Sequence, residues 1–127
     1  MGENEPAAHS DPALPRPLLD LRRELHRHPE PAWCEFYTTA RLVEALRERD
    51  VSLSFGPEIH AERRNVPDDA DLARWRERAL AAGADSSVVD QLGEGYTGVV
   101  ATVGDGSDPT VGLRVDIDGL PITESTD

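Results

Sequence analysis

Apolar positions along the chain change their period several times, and each change marks an expected element. Leu18, Leu21 and Leu25 recur at helical spacing behind Pro17, a residue suited to a first turn, and His28-Pro29 closes the run. After the turn PEPAW, residues 35–49 place Phe36, Thr39, Val43 and Leu46 on one stripe and Arg41, Glu44, Arg47 and Glu48 on the other. That pattern predicts a second helix. VSLSF, residues 51–55, alternates apolar and polar as a half-buried strand does. A more polar block, 57–93, carries Leu72, Trp75, Ala79 and Leu80 behind Pro67-Asp68, with Gly83 at a C-terminal cap, and then Asp85 ahead of a short helix over 86–92. Two β-branched runs follow, YTGVVATV at 96–103 and TVGLRVD at 110–116, and the GDGSDP between them predicts a hairpin.

Composition narrows this picture. A chain of 127 residues has length for one small domain. Residues 1–16 are proline-rich with little apolar content, and are expected to be a disordered acidic tail, leaving 17–127 as the foldable part. The net charge is -12, from 25 acidic side chains against 13 basic ones, all of them Arg. Nucleic acid, which wants a basic patch, is a poor partner for such a surface. A salty interior suits it better, because ionic strength screens its self-repulsion. Cys34 is the single cysteine, so no disulfide can form within the chain, and a reducing cytoplasm is expected. No stretch looks like a secretion signal or a membrane span, so no membrane partner is expected.

Three places invite chemistry. His26 and His28 in LHRHPE stand two apart, which on a helix points them to different sides, so they cannot share one ion; imidazoles at a helix C-terminus are the better reading. Cys34 precedes a helix, where a thiolate could be stabilised, yet packing beside Trp33 is favoured. Asp116 and Asp118 follow an apolar run, and alternate strand residues share a face, so both carboxylates are expected to project together at a strand end. In open α/β sheets that is where ligands bind. An acidic turn is the bland alternative; Glu124 adds a third acid nearby.

Together these features carry a resemblance. LRRELHRHPE, then an acid, two threonines and a helix, then TGVVATV, then GLRVDIDGLP resembles the N-terminal part of the metal-dependent amidohydrolases related to aminoacylase, hippurate hydrolase and indole-acetyl-amino-acid hydrolase. The last motif in that family runs R-x-D-M-D-A-L; Ile117 replaces the Met and Gly119 the Ala. Residues 55–96, with their VPDDADL helix start, resemble more narrowly the long helical insertion (57–93) of the aminobenzoyl-glutamate hydrolase type.

The resemblance implies an α/β fold: N-terminal helices and first strands of a zinc-peptidase-like catalytic domain, incomplete within these residues. It implies hydrolysis of the amide bond of N-acyl amino acids such as aminobenzoyl-glutamate. A divalent metal pair, Mn or Zn, would activate water in complete relatives, with a glutamate as general base. The relatives' metal ligands and base come from later motifs, so this chain is expected to bind no metal and to be inactive by itself. Asp116 matches an aspartate that orients a ligand rather than binding metal, with Arg114 where more distant relatives carry a histidine ligand; Asp118 matches structural support beneath the site. Two expectations about partners follow. One is a C-terminal enzyme half that restores activity. The other is a non-catalytic remnant or interaction module that binds a complete homologue through an unpaired sheet edge.

Overall fold

The computed structural model describes residues 14–107 and 109–123. Most of the expected tail, and Glu124, lie outside the described residues.

Helix α1, Arg16–His26, starts behind Pro15 with a proline in its first turn and buries no residue fully. It lies on the outside, with Leu25 packed against the core. Its other tether is polar: Glu24 accepts from Tyr37 Oη at 2.5 Å and from Arg41 Nε at 2.7 Å and Nη2 at 3.0 Å. These charge-assisted bonds, the Arg41 pair foremost, hold the Glu24 carboxyl down at about 2.

Helix α2, Phe36–Arg47, is the centre of the molecule. Its stripe of Phe36, Thr39 and Val43 is buried as predicted, and so are Tyr37, Thr38 and Ala40. The first turn is therefore enclosed on every side, because it packs against α3, α4 and both strands. Strand β1, Ser52–Phe55, follows, and then a single 3-10 turn at Pro57–Ile59. Helix α3, Asp69–Ala81, is capped by Asp68, which accepts from Asp71 N at 2.9 Å, and buries Leu72, Trp75 and Ala79. Leu80 was expected on that stripe but is exposed, because it lies past the edge of the face that α2 covers. Gly83, at φ 99°, ends the helix, and Ala84 N closes back onto Ala79 O at 3.0 Å. Helix α4, Ser86–Gln91, is capped by Asp85, as predicted, and buries Val88 and Val89.

Strand β2, Val99–Thr102, corrects the expected hairpin. It pairs antiparallel with β1, in the register Ser52↔Thr102 through Phe55↔Val99, and not with the run at 110–116. An alternating pattern tells that a segment suits a sheet but not which neighbour it takes. The pairing observed sets Leu53, Phe55 and Val99 on one face, where they pack against the helical core. Residues 110–119 form no strand and run past the sheet without joining it.

Candidate functional site

The N-terminus of α2 gathers two buried carboxylates. Helix N-termini leave backbone N–H groups without partners, and Glu35, the residue at the cap, does not supply one to α2 with its side chain. Glu30 does so from across the turn. Its Oε2 accepts from Tyr37 N at 2.8 Å, and its Oε1 from Thr38 N and Thr38 Oγ1, both at 2.7 Å. Burial pushes its pKa up, against the pull of these bonds.

Glu35 is 8% exposed. Its Oε1 accepts from Cys34 N at 3.0 Å and its Oε2 from Thr97 Oγ1 at 3.2 Å. Burial, with the negative charge of Asp118 adding to it, pushes this carboxyl up to about 7. The next strand is stitched to the same place, since Gly98 N donates to Thr39 Oγ1 at 2.9 Å. His60 Nε2 lies 2.8 Å from Thr97 O; a carbonyl only accepts, so that nitrogen carries the proton. Trp33 stands beside His60, ring centroids 5.4 Å apart, and donates from Nε1 to Arg64 O at 2.8 Å.

These groups form one wall of an open cleft of about 310 Å³, and Arg114, Asp116 and Asp118 form the other. The same 116–119 segment backs onto a second cleft, about 530 Å³, that reaches His26, His28 and Glu30. Gly119 N donates to Glu30 O at 2.8 Å and so pins the segment to the base of α2.

The expected aspartates are thus brought to one cleft, but not as expected. They do not end a strand, both are exposed, and Asp116 faces Arg114 Nη2 at 3.5 Å. Such an exposed pair is worth little. His28 stacks on Tyr37, centroids 4.1 Å apart, and burial lowers its pKa; His26 is exposed at the end of α1. Cys34 is buried in the core, and burial, followed by the charge of Glu35, pushes its thiol up to about 11. It is a packing residue and not a nucleophile. The carboxylates that sequence reasoning missed as a pair are Glu30 and Glu35. Their signal was an acid on either side of the PAWC turn, just before a helix opening on Tyr37-Thr38-Thr39.

Fold and site together define the class: an α/β arrangement of helices and a two-stranded antiparallel sheet, matching an N-terminal part of an aminobenzoyl-glutamate utilization protein. The solved structure of that protein, from Klebsiella pneumoniae, has a TM-score of 0.76 and 34% identity, over 82% of this chain and 27% of that one. Among curated relatives, the chain is 37% identical over 113 residues to indole-3-acetyl-aspartic acid hydrolase of Enterobacter agglomerans, and 36% identical over 113 residues to a p-aminobenzoyl-glutamate hydrolase of Escherichia coli. Each match takes 87% of this chain and 26% of the relative. An N-acetyl-L-cysteine deacetylase of Bacillus subtilis is 30% identical over 114 residues. The chain's homologues are thus amidohydrolases of N-acyl amino acids, and it spans about a quarter of the length of those first two relatives. No family model matches the chain.

Among the described residues no group of three His, Cys, Asp or Glu side chains is arranged to hold a metal ion. Asp116 and Asp118, with a guanidinium beside the first, do not fit a metal pair by themselves. No helix of the described residues is long and apolar enough to cross a membrane.

Proposed function

We propose that this chain is the N-terminal portion of a metal-dependent amidohydrolase that cleaves the amide bond of N-acyl amino acids of the aminobenzoyl-glutamate or indole-acetyl-aspartate kind. The observation that carries the reading is the match of both sequence and fold over more than four fifths of the chain to such proteins. Metal dependence, with manganese or zinc, belongs to the proposal and not to the residues described, so ligands and general base would come from elsewhere in the complete enzyme. In this reading the chain builds the base of the site. Glu30 fixes the start of α2 and, through Gly119, the 116–119 turn; Asp118 supports that turn, and Asp116 orients a group brought to the cleft. The buried free thiol of Cys34 supports a cytoplasmic place of action.

The test is a chimera in which residues 14–123 replace the matched segment of the Enterobacter indole-3-acetyl-aspartic acid hydrolase. With manganese or zinc it should release aspartate from indole-3-acetyl-aspartate, and Asp116→Asn should lower kcat by ~10-fold or more while leaving the fold intact. A folded chimera that hydrolyses neither this amide nor aminobenzoyl-glutamate with any divalent metal would overturn the proposal.

A further inference from the structure

The sheet has one face on the helices and one face bare. Leu53, Phe55 and Val99 point to the core, while Val100, on the opposite face of β2, is 49% exposed. Beyond β2 the bare surface continues through Val103 and into Val111, Leu113 and Val115, which alternate with Thr110, Gly112 and Arg114 and reach 90% exposure at Leu113. Leu120 and Ile122 extend it toward α1. Scattered exposed apolar residues are ordinary, but a run of this length with strand alternation and no paired backbone is a surface that something covers.

We infer that residues 111–122 and the bare face of β2 are the seat of the remaining three quarters of a hydrolase chain of the matched kind, and that 111–115 becomes a paired strand when that polypeptide is in place. The inference rests on the proposed function for the identity of the occupant. Two observations select it. The solved relative matches this chain over only 27% of its own length, so most of that fold lies outside the matched segment, and the bare run stands near the end of the described residues. A second copy of this chain is the obvious competitor, but each copy carries a net charge of -12, and bringing two together sets like charge against like.

The chimera described above decides the question by hydrogen exchange, read separately from its activity. Amides of 111–115 should exchange at least ~100-fold more slowly in the chimera than in the 127-residue chain alone. The double substitution Leu113→Asp with Val115→Asp should leave the isolated chain's melting temperature unchanged and lower the chimera's. A protected 111–115 segment in a chimera without hydrolysis keeps this inference and removes the proposed function. A hydrolysing chimera in which 111–115 exchanges freely does the reverse. A chimera that does not fold overturns the inference, since the surface would have refused its occupant. So does a dimer of the isolated chain that protects 111–115 and is abolished by the double substitution.

Discussion

Glu35 keeps a carboxyl where water scarcely reaches it, and its protonation is coupled to folding. Its folded pKa of about 7 lies above the ordinary value of 4.5, so the folded chain holds a proton that the unfolded chain releases between those values. The associated stability is fully present below pH ~4.5 and is lost as pH rises through ~7. Glu30, also pushed upward, has the same sign. Glu24, held down at about 2, has the opposite sign, but its stability is lost only as pH falls below about 4.5. Urea unfolding between pH 5 and 8 should therefore show stability falling with pH, and Glu35→Gln should remove on the order of 2 to 3 kcal/mol of that fall. A slope unchanged in the variant would show that Glu35 ionises normally. None of this was legible in the sequence. An acid before a helix looks the same whether it faces water or lies, like Glu35, under Thr97 from a strand 62 positions away.

The helices were legible and the sheet was not, for a reason visible in particular elements. Helices α2, α3 and α4 are announced locally, by Phe36, Thr39 and Val43 at one spacing, by Asp68 and Asp85 at caps, and by Gly83 at a stop. Strand β2 depends on a partner, and β1 offered Leu53 and Phe55 already turned toward α2, which the run at 110–116 does not. What aligns β2 is the loop before it, where Gly95 sits at φ 88° against the turn of Trp33. A Cβ on Gly95 would come 2.7 Å from Trp33 O and 2.9 Å from a Leu72 methyl. Gly95→Ala should thus cost ~2 to 4 kcal/mol, combining an unfavourable backbone with overpacking. Gly104→Ala, at φ 98° but with nothing within 4 Å, should cost only ~1 kcal/mol. Equal losses in the two variants, measured by thermal unfolding, would show that the contact with Trp33 does not matter.

At the scale of the whole molecule the surface is governed by charge. With 25 acidic residues, 13 arginines and no lysine, exposed carboxylates greatly outnumber the pairs available to them. Sodium chloride raised from 0.1 to 2 M should lift the melting temperature by ~5 °C or more, as screening weakens the repulsion. A melting temperature that stays level or falls would contradict this. The amino-acid sequence alone determined the charge, the helices with their caps, and the likeness to amidohydrolases of N-acyl amino acids, since each is written in composition, short-range spacing or motif order. Only the tertiary structure decided the pairing of β2 with β1, the burial of Glu30, Glu35 and Cys34, and the cleft where Asp116 and Asp118 meet Thr97 and His60. Those depend on which distant segments share a space, and therefore on which groups lose their water.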